Sequence, residues 1–329
     1  MRSAGLCALG GLGLASSETI ALAGADSAVN PFAYDIERAA TTDPKLITYM
    51  QSGRFAGVGP EPRRIAVGPG DRLYIATKEG VNIFDRQGTV LGKIPMTTPA
   101  RCVAVADDQT VYVGSRTHLE VFDAKGQPVS SWEPPTRKTW FTGLSVGRND
   151  VFAADSANRV IFRYDRSGKL IVRIGEKNKE RNIPGLIVPS PYLDVKLGND
   201  GLLRVNNPGR HCVHVFTLNG DLELSWGKPS AAIEGFCGCC NPIGLALLPD
   251  GRCVTCEKGL PRVKVYSADQ SLAGVVAGPE VFRDNGSPGQ TSDRLDGTLG
   301  GLDAAVDSAG NIYVLDLVAG DLRLMKPKA

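Results

Sequence analysis

One pattern recurs six times along this chain: an apolar run, a Gly or Asp turn, a second apolar run, a loop, and a third run that mostly ends in an aromatic before another turn. It reads RIAVGPGDRLYIATKEGVNIFDRQG from Arg64, CVAVADDQTVYVGSRTHLEVFDAKG from Cys102, and GLSVGRNDVFAADSANRVIFRYDRSG from Gly143. It continues as LDVKLGNDGLLRVNNPGRHCVHVFTLNG from Leu193, IGLALLPDGRCVTCEKGLPRVKVYSADQ from Ile243, and LDAAVDSAGNIYVLDLVAGDLRLMKPKA from Leu302. Asp85, Asp123 and Asp165 hold equivalent places 38 and 42 residues apart, and Thr217, Ser267 and Lys326 continue the series at wider intervals. Helical periodicity is nearly absent, so each unit reads as one four-stranded antiparallel sheet. A single sheet of that size buries one layer of side chains. Such repeats therefore build a core by stacking around an axis, and closing the ring removes exposed edges. The sequence predicts an all-β, six-bladed β-propeller. The sixth unit ends after its third strand, while Asp43 to Met50 (DPKLITYM) reads like the outer strand GKLIVRIG from Gly168. An N-terminal strand is therefore expected to complete the last blade.

With NIYVLD at Asn311 and VFAADSANRVIFRYD at Val151, the chain resembles the NHL-repeat family of six-bladed β-propellers over about residues 43 to 326. That resemblance implies a fold and leaves the function open.

Composition narrows the partners. Lys and Arg total 37 against 35 Asp and Glu, a net charge of +2, which lacks the basic excess of a nucleic-acid binder. No run approaches the roughly 18 apolar residues of a membrane helix. Residues 1–23 carry an export-signal pattern, with Arg2, an apolar Gly-rich stretch and Ala21-Leu22-Ala23 as an A-x-A cleavage site. The stretch after Arg2 is also similar to the back half of a twin-arginine signal. The expected organisation is a leader at 1–23, a linker at 24–42 and the propeller at 43–329, in a monomer outside the cytoplasm, periplasmic or extracellular.

In a four-stranded blade, the start of the inner strand, the second-to-third loop and the link to the next blade all emerge on one face. The insertions at 176–190, 228–241 and 279–300 are all such links, so they converge there. This long-loop face is the expected place for a protein or small-molecule ligand, and the tight turns opposite are expected to be scaffold.

The most unusual local sequence is GFCGCCNP, residues 235–242, which places Cys237, Cys239 and Cys240 within four residues. Cys256, at the end of the following hairpin, returns to the same end of the fifth unit. Four soft sulfur donors there form a candidate site for zinc, copper or an iron–sulfur cluster, structural or electron-transferring, with His211 as a candidate fifth donor. Disulfides from this cluster to Cys256 are the alternative in an oxidising compartment. Cys102, Cys212 and Cys253 fall within strands and read as small buried hydrophobes, and His214 reads as structural. Gly143-Leu144-Ser145-Val146-Gly147 matches a G-x-S-x-G nucleophile elbow, but no helix follows, so it reads as strand. Trp132, Trp140 and Trp226 are expected to pack between blades. Three readings follow: a ligand-binding propeller with a thiolate metal site, a metal-dependent propeller hydrolase or lyase, or a disulfide-pinned interaction scaffold. No catalytic residue is assigned.

Overall fold

The computed structural model describes residues 39–283 and 300–328. The leader, most of the linker, and the 284–299 part of the last insertion lie outside them. Six four-stranded antiparallel sheets follow one another in a ring. Blade 1 comprises β2 (Arg64–Gly68), β3 (Arg72–Thr77), β4 (Gly80–Phe84) and β5 (Val90–Pro95). Blade 2 comprises β6 (Cys102–Val105), β7 (Val111–Gly114), β8 (Leu119–Phe122) and β9 (Pro128–Trp132). Blade 3 comprises β10 (Phe141–Val146), β11 (Asp150–Asp155), β12 (Val160–Asp165) and β13 (Leu170–Ile174). Blade 4 comprises β14 (Val195–Leu197), β15 (Leu203–Asn207), β16 (Cys212–Phe216) and β17 (Leu222–Trp226). Blade 5 comprises β18 (Gly244–Leu247), β19 (Cys253–Cys256), β20 (Val263–Tyr266) and β21 (Leu272–Ala277), followed by a short helix α1 (Glu280–Arg283). Blade 6 comprises β22 (Leu302–Val306), β23 (Ile312–Asp316) and β24 (Asp321–Pro327), with β1 (Tyr49–Ala56) as its outer strand.

The expected closure of the ring holds, with a shifted strand. β1 pairs antiparallel with β24, from Tyr49 opposite Pro327 to Ala56 opposite Asp321. It starts six residues later than the sequence suggested, because Pro44 has no N–H for a ladder and Asp43 caps a 3-10 turn by accepting from the Lys45 amide.

The repeat motif has a physical role in each blade. In blades 1 to 5 the pairing of third and fourth strands slips by one residue at the aromatic that ends the third strand: Phe84, Phe122, Tyr164, Phe216 and Tyr266. A bulge there adds twist and re-aims the side chain. All five rings are buried. Just after it, Asp85, Asp123 and Asp165 each accept the backbone N–H groups two and four residues on. Gly88, Gly126 and Gly168 complete these turns at positive φ. Gly168 also lies against Trp132, where a Cβ would come within 2.7 Å of the indole. Trp132 is wedged between Tyr112 and Tyr164, as expected of a residue packing between blades.

The inner strands surround an axial channel of about 230 Å³. Val67, Val105, Val146, Leu197, Leu247 and Val306, one from each inner strand, form an aliphatic collar at its short-turn end. A wider hollow of about 950 Å³ opens among the turns of that face. The short-turn face is therefore concave as well as scaffolding. Ser145 of the G-x-S-x-G match lies in β10 and accepts from the Leu197 amide across the channel wall, so the motif is strand.

Candidate functional site

At the long-loop end the channel is closed by one side chain. Arg64, the first residue of β2, reaches into the axis and is 5% exposed. It donates from Nε to the Thr142 carbonyl of blade 3 at 2.8 Å, from Nη2 to the Ile243 carbonyl before blade 5 at 3.1 Å, and from Nη1 to Asp303 of blade 6 at 2.8 Å. Asp194, which precedes blade 4, lies 3.7 Å from the same nitrogen. The two carboxylates also tie neighbouring blades: Asp303 accepts from the Ile65 amide and Asp194 from the Leu245 amide. Burial opposes the charge on Asp194, but the Lys196 ammonium and the Arg64 guanidinium hold its carboxyl below the usual range.

Above this plug lies a small pocket of about 30 Å³, lined by Arg63, Arg101, Trp140, Tyr192 and Leu317, with Arg64 at its base. It has room for one or two water-sized groups, since a water needs about 10–15 Å³ by such a measure. Four guanidiniums gather here, those of Arg63, Arg64, Arg101 and Arg116. Arg101 lies 5.7 Å and Arg116 4.4 Å from the centre of the Trp140 ring. Burial, and then the like charges of Arg63 and Arg116, push the Arg101 guanidinium below its ordinary value, against the pull of the Glu61 carboxylate, which pairs with Arg63 at 3.2 Å. The Arg101 Nε is buried without a hydrogen-bond partner among the described residues. A buried cationic donor left without a hydrogen-bond partner favours an incoming anion. Trp140, set between Arg101 and Arg116 of blade 2 and the start of blade 3, also lines this mouth.

The cysteine segment sits further out on the same face. Its backbone carbonyls turn down onto buried cations: Lys264 Nζ donates to Ile233 and Gly235, and Arg262 to Ala231 and Gly235. Glu257, fully buried, pairs with Lys264 at 2.8 Å and Arg262 at 2.7 Å and accepts from the Cys237 amide at 3.1 Å. Burial pushes the Lys264 ammonium down to about 8, against the pull of Glu257. A lysine, an arginine and a glutamate around a hairpin loop are ordinarily solvated. Here they anchor the loop.

Of the predicted site residues, the structure brings Cys239 and Cys240 together, with sulfurs 3.3 Å apart. Cys237 is half-buried in the same turn. His211 contributes through its Nε2, which donates to the Gly238 carbonyl at 2.7 Å and pins the turn. Cys256 does not join the sulfur pair in a group of three metal-binding side chains. Its backbone is at the expected end of the hairpin, where its carbonyl accepts from the Ile243 amide. Its side chain shares strand parity with Val254 and packs with Val254, Leu302 and Val314 between blades 5 and 6. Burial raises its thiol well above the ordinary range. Among the described residues, no three His, Cys, Asp or Glu side chains group so as to hold a metal ion, and all seven described cysteines are free thiols. Cys102, Cys212 and Cys253 are buried in strands, as expected.

His214 is structural. Asn207 Nδ2 donates to its Nε2 at 2.8 Å, which fixes the neutral tautomer with the proton on Nδ1. Burial, then the nearby Arg210 charge, pushes it down to about 4. A histidine depressed in the fold binds its proton more readily when unfolded, so its contribution is present above the ordinary value of 6.5 and is lost as pH falls toward 4. Denaturant titrations are expected to show a loss of about 2 kcal/mol between about pH 7 and about pH 5 that His214→Gln removes. An unchanged slope in the variant would assign the loss to other groups.

No family model matches the sequence, and no curated protein matches it. Among solved structures, the chain is similar to a streptogramin B lyase with TM-score 0.58 and 13% identity, over 84% of this chain and 97% of that one. It is similar to virginiamycin B lyase from Staphylococcus aureus with TM-score 0.56 and 13% identity, over 84% and 99%. A protein of unknown function from Bacteroides thetaiotaomicron matches with TM-score 0.60 and 14% identity, over 85% and 72%. At these identities the likeness establishes the architecture: the chain is a six-bladed β-propeller.

Proposed function

We propose that this chain is an exported, NHL-like propeller that binds a carboxylate-bearing ligand on its long-loop face, with the carboxylate held at Arg101. The observation that carries the reading is the buried, unpartnered Arg101 Nε beside Arg63 and Arg116. The pocket's size suits the head group of a ligand whose remainder lies over the rim. Trp140 and Tyr192 provide apolar walls, and Lys258, 4.7 Å from the Tyr192 ring centre, adds a further cation. The leader pattern at 1–23 supports a site outside the cytoplasm. A lyase reading draws on the names of structural neighbours, and neither it nor a hydrolase reading draws on any geometry described above.

The test is titration with acetate, succinate, benzoate and a short acidic peptide, with phosphate as the charge control, followed by tryptophan fluorescence and calorimetry. At least one carboxylate is expected to bind, and Arg101→Gln to weaken it by about tenfold or more, since a hydrogen bond to a charged group contributes roughly 1.5–3 kcal/mol. Equal affinity in the variant, or no binding by any carboxylate, would overturn the reading.

A further inference from the structure

Beyond the ligand pocket, with which it shares Lys258, we propose that Cys239 and Cys240 are a thiol–disulfide exchange site, which closes to a Cys239–Cys240 disulfide by reaction with a low-molecular-weight disulfide. Three observations converge on it. The sulfurs already touch at 3.3 Å, and one is exposed while the other is buried behind it. The exposed Cys239 meets the oxidant, and Cys240 is placed to resolve the adduct.

Cys240 also has a polar relay. Ser190 Oγ donates to its sulfur at 3.3 Å, and Lys258 Nζ donates to Ser190 Oγ at 3.1 Å. A hydroxyl donor backed by an ammonium stabilises negative charge on sulfur. The turn is held from several sides as well. Asn241 Nδ2 donates to the Cys237 and Lys258 carbonyls, its Oδ1 accepts from the Lys258 amide, and His211 and Glu257 hold Gly238 and Cys237. The strand cysteines contrast with this pair: burial pushes the thiols of Cys102 and Cys253 up to about 12, where they are inert.

The chemistry balances in two steps. The Cys239 thiolate attacks one sulfur of the oxidant, whose S–S bond breaks, and the first thiolate leaves to take up the proton that Cys239 gave to water. Cys240 sulfur then attacks Cys239 sulfur, the mixed disulfide breaks, and the second thiolate leaves and takes the Cys240 proton. Two thiols are oxidised and one external disulfide is reduced to two thiols. The hydrogen bond to Cys240 raises the Cys239 thiol, with Lys258 acting against that rise, so the exchange is expected to accelerate as pH increases.

The experiment treats the reduced full chain with oxidised glutathione, quenches with iodoacetamide and locates each modification by peptide fragmentation. The expected product is a peptide in which Cys239 and Cys240 are unalkylated and together two hydrogens lighter, and a reductant restores both thiols. Cys240→Ser is expected to stop at a glutathione adduct on Cys239, Cys237→Ser to leave closure unchanged, and Lys258→Met to slow closure by about tenfold. A lasting glutathione adduct on Cys239 in the unmodified chain, a bond from Cys239 to Cys237, or two thiols that stay alkylatable would each overturn the proposal.

Discussion

Replacing Arg64 with alanine is expected to lower the free energy of unfolding by about 3–5 kcal/mol, the cost of removing one partner of a buried ion pair. The side chain bonds to carbonyls or carboxylates associated with blades 3, 5 and 6, and lies near Asp194 at blade 4. Without it, Asp303 loses its counter-charge, Asp194 keeps only Lys196, and two carbonyls lose their donor. Denaturant unfolding reads the effect directly. Arg64→Lys is expected to recover only part of the loss, because an ammonium cannot serve three directions with a planar fork. A midpoint in Arg64→Ala equal to that of the unmodified protein would mean that the blades close without the plug.

The second large effect is expected at Glu257. Glu257→Gln leaves Arg262 and Lys264 buried without their counter-charge, and a loss of about 3–5 kcal/mol follows by the same reasoning. The damage is expected to be uneven. Lys264 and Arg262 also carry the carbonyls of Ala231, Ile233 and Gly235, so the cysteine loop should detach before the blade unfolds. Hydrogen exchange at residues 231–240 and maleimide labelling of Cys240 measure this. Fast labelling of Cys240 with the blade 5 strands still protected is the expected pattern. Uniform protection across loop and strands would refute the anchoring role.

The architecture was legible because each blade is a local event. The apolar runs, the aromatic at the bulge and the Asp-Gly turn all lie within one unit, so Phe84 to Gly88 states its own geometry. The converging loops followed from strand parity in the same way. The plug and mouth were not legible, because Arg64, Arg101, Trp140, Asp194 and Asp303 come from different blades and meet only after the ring closes. Each is an unremarkable strand-start residue in sequence. Cys256 was half legible. The hairpin fixed which end of the blade it occupies, and the alternation shared with Val254 turned its sulfur into the blade interface. The buried Glu257, Arg262 and Lys264 had no sequence signal, since charged residues in a hairpin loop are usually solvated.

The strand pairing that joins β1 to β24 fixes how the molecule can be mounted. β24 runs from Asp321 at the long-loop face to Pro327 at the short-turn face, where Tyr49 meets it. A tether attached beyond Pro327 therefore holds the propeller by its collar side. On a biosensor chip, such a linkage leaves the arginine mouth and the thiol pair pointing into the flow.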